Sequence, residues 1–392
     1  MEVLARDHAA IFHTYKRLPL SVVRGEGVEL VTTDGRRYLD MFGGIAVNAL
    51  GYNHPDVVRA VADQAAHYIH LSNYFAQEPQ LRLAERLTRA TGFDRVFFCN
   101  SGTEATEGAL KLARRWGSGR GKTEIVSFTN AFHGRTYGAL SLMDRPKYRD
   151  GFGPFLEHCT VIPHNDPASL TSTVTPSTLA VFLECIQGEG GIRPVTAALV
   201  QTIEELKNKF GFLVIADEVQ AGVGRTGKFC SFEHFGFRPD IVTMAKPIGG
   251  GLPLGALLAS EELSAVLAPG THGSTFGGNP VACAAGEVVV REVTEGGLMH
   301  NAERMGELLK AGLQEVAAQF PGLVREVRGY GLLIGMELNR EGEQIVTAMR
   351  DRGVLINCTD LTVLRFVPPL IIQEAHINTT LEALRAVFSA LP

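Results

Sequence analysis

From residue 95 onward the chain repeats one unit: a short apolar run rich in β-branched and aromatic residues, then a helical or Gly/Pro-rich stretch. The runs are RVFFC (95–99), EIVSF (124–128), CTVIP (159–163), LAVFLEC (179–185), FLVIA (212–216), DIVTM (240–244) and GALLAS (255–260). A strand apolar at successive positions has to be buried on both faces, and a mainly parallel sheet with helices on either side provides that. Ahead of these runs, 55–68 and 80–91 read as helices. After Asn279 a long helical stretch leads into LVREVRGYGLLIGMEL (323–338), which reads as a hairpin, then VLINC (354–358), VLRFV (363–367) and a last helix. The division this predicts has an N-terminal segment, 1–50, whose hairpin GVELVTTDGRRYLDM packs on the smaller domain. A large α/β domain, 51–285, and a small α+β domain, 286–392, follow it.

Composition narrows the classes of function. With 37 basic and 42 acidic side chains the formal charge is −5, so no general basic field invites a nucleic acid. The local cluster Arg114, Arg115, Arg120 and Lys122 reads as a solvated helix end. The six cysteines contain no C-x-x-C pair and several sit inside apolar runs, as reduced thiols of a cytoplasmic protein do; no metal site is expected. His67 and His70 lack the acidic helical companion of a zinc motif. The N-terminus lacks the apolar core of a signal peptide, and no apolar run approaches the roughly 20 residues that span a bilayer. The expected setting is the cytoplasm, without membrane or nucleic-acid partners.

The run FLVIA enters two acids, Asp217 and Glu218, and a carboxylate at the end of a buried strand needs a partner. One such strand belongs to P-loop ATPases, where it holds magnesium. The stretch GSGRGKT (117–123) fails that motif: three residues, not four, separate its first Gly from the Gly-Lys, and a helix precedes it where a strand should.

A better anion site lies at FFCNSGTEATEGALKLARRW (97–116). Ser101 and Glu104 form an S-x-x-E capping pattern, which places a helix N-terminus at Ser101-Gly102-Thr103. Free amides there can cradle a phosphate, although a plain capped helix has the same signature. Lys246 follows another buried strand and precedes Gly249-Gly250-Gly251. Such a lysine is either a snorkelling core residue or an amine desolvated for imine chemistry. Pyridoxal 5′-phosphate uses all three features together: its phosphate is anionic, its aldehyde condenses with a lysine, and its ring nitrogen binds a carboxylate. On this reading the positive charge awaiting Asp217 is the protonated ring nitrogen.

The order of GIAVNALGYNHP, NSGTEATEGALKLAR, FHGRT, IQGEGG, ADEVQAGVGRTG, AKPIGGGLPLGA, STFGGNP and LRFVPP resembles the class III (ω-) aminotransferases over nearly the whole chain. The resemblance implies a fold-type I pyridoxal-phosphate enzyme with a mainly parallel seven-stranded sheet. It makes Lys246 the Schiff-base lysine and proton shuttle, and Asp217 the partner of the ring nitrogen. Val219 and Phe132 would flank the ring, Gln220 would reach its phenolic oxygen, and Ser101, Gly102 and Thr103 would hold the phosphate. Thr275 would complete the phosphate site of a partner subunit, implying a homodimer. Arg135, with Ser274 nearby, would grip the distal carboxylate of the donor. Arg365 would take the α-carboxylate of glutamate or 2-oxoglutarate, with Glu189 as its alternate partner.

The implied activity is transfer of an ω-amine, such as the δ-amine of N2-acetyl-L-ornithine, to 2-oxoglutarate. Ornithine, 4-aminobutyrate, succinyl-diaminopimelate and a carrier-bound lysine are other donors for the same mechanism. The presence of Lys246 argues against a catalytically dead relative, while a lyase or racemase would share the cofactor. Two positions depart from the family pattern. Pro247 stands where a small residue is common, and Ala76 follows Tyr74-Phe75 where a polar residue is usual, which would widen the pocket if Ala76 lines it.

Overall fold

The computed structural model describes residues 2–391 of the 392. Its central sheet has seven strands: β1 Arg95–Cys99, β2 Glu124–Phe128, β3 Cys159–Ile162, β4 Thr178–Leu183, β5 Leu213–Asp217, β6 Ile241–Met244 and β7 Gly255–Ala259. In space they run β1-β7-β6-β5-β4-β2-β3. The sheet is parallel except for β7, which lies antiparallel to both β6 and β1. Each strand answers to one of the seven apolar runs; the reversal of β7 has no counterpart in hydrophobic pattern.

Burial on both faces explains why these runs are continuous rather than alternating. Along β5, Leu213 and Ile215 join the core on one side of the sheet, while Val214 and Ala216 join the core on the other. The helix Gly102–Gly117 covers the first side with Ala109, Leu112 and Ala113. Ala197–Phe210 covers the second with Leu199, Ile203 and Leu206. At the carboxyl edge, β1 runs into Ser101, β5 ends on Asp217 and β6 stops two residues before Lys246. Crevices at this edge are where open α/β sheets bind ligands.

The hairpin read at 323–338 is present as Val324–Tyr330 and Leu333–Leu338. It continues into Val363–Phe366 and Asn357–Thr359 as a four-stranded antiparallel sheet. The run VLINC is divided: Val354–Leu355 leaves that sheet and pairs in parallel with Arg37–Asp40 of the N-terminal hairpin. The helix Pro280–Thr294 packs on Pro55–His67 and Glu78–Thr91, whereas Leu298–Gln319 packs on Val324–Tyr330 and Glu374–Ser389. All six cysteines are free thiols, four of them buried. No helix among the described residues is long and apolar enough to cross a membrane.

Candidate active site

Ser101 caps the helix Gly102–Gly117, its Oγ accepting the Glu104 N–H at 3.3 Å. The reciprocal half of the capping box differs from expectation. Glu104 reaches past Ser101 to Asn100, which offers its backbone N–H at 2.5 Å and its Nδ2 at 2.9 Å, two donors instead of one. The first-turn amides of a helix have no acceptor within it, so those of Gly102 and Thr103 present a positive end. A Cβ on Gly102 would lie 2.8 Å from Val219 Cγ1, so glycine lets this helix end approach that wall. Gly134, at φ 138°, is needed for the same reason: a Cβ there would strike Thr103 Oγ1.

These amides close one end of a cavity of about 420 Å³. Phe132 and Val219 form walls, Asp217 and Lys246 reach in from the strand ends, and exposed Arg135 stands at the rim. The guanidinium of Arg135 lies over the Tyr148 ring at 4.0 Å and the Phe132 ring at 5.1 Å. No carboxylate pairs with it among the described residues.

Asp217 is 4% exposed and both of its oxygens are held. Oδ2 accepts from His133 Nδ1 at 2.8 Å, and Oδ1 from the Val219 N–H at 3.0 Å. The protein thus supplies a partner of its own where the ring nitrogen alone was expected. His133 was the residue missed: it is present in FHGRT beside Phe132, but nothing local ties it to Asp217. Its ring packs edge-on to Phe182 with centroids 4.6 Å apart, and its buried Nε2 finds no partner.

Lys246 adopts φ 46°, a left-handed conformation rare for a side-chain-bearing residue, with Pro247 fixing the chain after it. Burial holds its ammonium below the ordinary lysine range, against the opposing pull of Glu189 and Asp217. Two further carboxylates lie beneath the site. Burial pushes Glu184 and Glu218 each up to about 7.

A second cluster adjoins the first. Arg365, on the strand Val363–Phe366, is 1% exposed and its Nη1 donates to Glu189 Oε1 at 2.5 Å, Gln220 Oε1 at 3.1 Å and the Gly188 carbonyl at 3.2 Å. Its Nε donates to Asn357 Oδ1 at 3.2 Å. Burial raises Glu189, but Arg365 and then Lys246 outweigh it and hold the carboxyl below its usual range. Gln220, expected at the phenolic oxygen, gives its Oε1 to Arg365.

Ser274, Thr275 and Ala76 lie outside this protomer's cavity. Ser274 is joined to Asn100 Nδ2 at 3.1 Å and to the Gly277 N–H at 3.0 Å, with no bond to Arg135 within the protomer. Thr275 is exposed on the following turn, outside the cavity lining. Ala76 is exposed too and does not line this protomer's cavity.

The residues fit pyridoxal 5′-phosphate on the structure's own terms. Unpaired helix amides meet a close approach that only glycine permits, an aromatic and a branched aliphatic wall enclose the space, and a doubly held carboxylate and a desolvated amine face into it.

The family model "Aminotransferase class-III" matches residues 11–388. The acetylornithine aminotransferase of Mycolicibacterium smegmatis is 46% identical over 389 residues, 99% of this chain and 98% of that one. Among solved structures, the N-acetylornithine aminotransferase of Stenotrophomonas maltophilia superposes with a TM-score of 0.85 at 35% identity, covering 99% of this chain and 98% of the other. The ornithine aminotransferase of Toxoplasma gondii gives 0.95 at 30% identity, covering 99% and 94%. The chain therefore belongs to the class III aminotransferase family and is a pyridoxal 5′-phosphate-dependent transaminase of fold type I.

Proposed function

We propose that this transaminase moves the δ-amine of N2-acetyl-L-ornithine to 2-oxoglutarate, giving N-acetyl-L-glutamate 5-semialdehyde and L-glutamate. The observation that carries the reading is the buried Arg365–Glu189 pair beside Lys246. Glutamate has a carboxylate next to its reacting amine, whereas the δ-carbon of acetylornithine has none. A site serving both needs a cation for the first substrate and a way to neutralise it for the second. Glu189 on Arg365 is the arrangement the ω-amine requires. The name borne by the Mycolicibacterium relative supports the same donor.

Bound pyridoxal 5′-phosphate supplies an aldehyde that condenses with amines and a ring that accepts the electron pair of a broken C–H bond. The amides of Gly102 and Thr103 would bind its phosphate, helped by the Ser101 cap. Phe132 and Val219 would fix the plane of the ring, and Asp217, oriented by His133, would keep the ring nitrogen protonated. Lys246 Nζ would hold the aldehyde and, once freed, carry a proton between carbons, a task eased by its lowered basicity. Arg135, its guanidinium unpaired at the rim, would hold the distal carboxylate of acetylornithine. The working assembly we infer is a cytoplasmic homodimer, in which exposed Thr275 and Ser274 serve the partner's cavity.

The test is a donor screen with 2-oxoglutarate as acceptor. N2-acetyl-L-ornithine is expected to give the highest kcat/KM; a higher value for ornithine, 4-aminobutyrate or succinyl-diaminopimelate would replace this reading by that donor.

A further inference from the structure

Glu184 follows β4 and is 6% exposed, yet no lysine or arginine pairs with it among the described residues. A buried carboxylate without a cation depends on its hydrogen bonds, and charge-assisted ones are the strong kind. Each of its oxygens takes one backbone amide: Oε2 accepts the Phe132 N–H at 2.9 Å and Oε1 the Gly188 N–H at 2.9 Å. The two amides belong to different loops with different tasks. The first loop carries the Phe132 wall and His133, which holds Asp217. The second carries the Gly188 carbonyl and Glu189, both on Arg365. Gly188 has no room for a side chain, because a Cβ there would fall on the Gln220 amide, itself bonded to Arg365.

We propose that Glu184 is a positioning residue that staples the cofactor wall to the Gly188–Glu189 turn, and so sets the placement of Arg365 for 2-oxoglutarate. The inference rests on the reading of Arg365 as the carboxylate site. A glutamine is the same size but has a single acceptor, and its NH2 would face an amide N–H, so one of the two loops is released. A role in packing alone would not distinguish the two side chains.

The experiment uses the Glu184→Gln holoenzyme with two readouts: visible circular dichroism of the bound cofactor, which reports the asymmetry of the wall, and KM for 2-oxoglutarate, which reports Arg365. Expected are full cofactor content, a dichroism signal at most about half that of wild type, and a KM raised about tenfold or more, with a smaller change in the donor half-reaction. Glu189→Ala, which leaves Glu184 in place, is expected to alter the half-reactions while sparing the dichroism. Wild-type dichroism and KM in Glu184→Gln overturn the proposal, even if the variant melts at a lower temperature. Should that variant not accumulate as folded protein, Glu184→Asp is measured instead. It keeps the charge but is one methylene too short to span both amides, and wild-type values for it overturn the proposal equally. Absence of 2-oxoglutarate-dependent activity in the wild type would instead refute the reading of Arg365.

Discussion

Two carboxylates decide the chemistry at the scale of single residues, and each has a protein partner that constrains what a substitution does. Asp217→Asn keeps a single acceptor, enough for His133 Nδ1 or the Val219 N–H but not both, and it loses the charge opposite the ring nitrogen. We expect the cofactor to remain bound and kcat to fall at least about 100-fold, the loss typical of one preorganised electrostatic contact. Rapid kinetics together with cofactor content after denaturation check this; near-normal kcat would remove Asp217 from the ring. Glu189→Ala acts differently. It leaves Arg365 buried without its counter-ion when the substrate brings no carboxylate, a loss of about 3–5 kcal/mol. The acetylornithine half-reaction should slow by roughly 10²–10³. The glutamate half-reaction should be spared or quickened, since no carboxylate has to be displaced. Single-turnover absorbance follows each half separately, and equal slowing of both would show that Glu189 is no switch.

Elements are where most of the legible information lay. The seven strands could be read because burial on both faces demands continuous apolar residues, and Ser101 could be read as a helix start because caps are local chemistry. What escaped is what depends on sequence-distant partners. Strand direction leaves no trace in periodicity, so the reversal of β7 was invisible. The bonds His133–Asp217, Glu184–Phe132 and Gln220–Arg365 join loops that only the fold brings together. The same limit applies to Ser274, whose neighbours within the protomer are Asn100 and Gly277 rather than Arg135. The helix Gly102–Gly117 offers a test at this scale. Gly102→Ala improves helix propensity, but its Cβ would meet Val219 at 2.8 Å and push the amides away from the ring wall. We expect a wild-type or slightly lower Tm without cofactor, with cofactor affinity lowered about tenfold or more. Dialysis against graded pyridoxal phosphate measures the second quantity, and unchanged affinity would mean the helix end does not bear on the phosphate.

For the whole molecule, stability and assembly both trace back to the site. Glu218 is wholly buried, holds the Ser231 and Phe232 amides, and is pushed up to about 7 by burial. Below the unfolded value of 4.5 both states carry the proton; as pH rises through about 7 the unfolded chain ionises first, so stability is lost over that window. The loss is roughly 3 kcal/mol for this group. Glu184 adds a similar slope, while His164, lowered to about 4 by burial, opposes both, so Glu218→Gln should make denaturant-measured stability fall less steeply, or rise, between these limits; an unchanged slope would mean Glu218 ionises freely. Assembly is the larger question. Tyr74, Phe75 and Phe276 are 97%, 60% and 60% exposed, an apolar surface of the sort a partner covers. Asn73 Nδ2 ties this segment to the Ser274 and Gly277 carbonyls at 3.2 and 3.0 Å, and His70 packs against Phe276, so the aromatic patch and exposed Thr275 move as one piece. If a second copy sits there, Thr275 reaches the neighbour's phosphate, and cofactor binding and dimerisation become linked equilibria. Phe276→Asp should then yield monomers that lose pyridoxal phosphate on gel filtration. Thr275→Ala should stay dimeric while holding the cofactor about tenfold less tightly. Light scattering gives the mass and visible absorbance the cofactor in the same run, and a monomer that keeps its cofactor at wild-type affinity would uncouple the two.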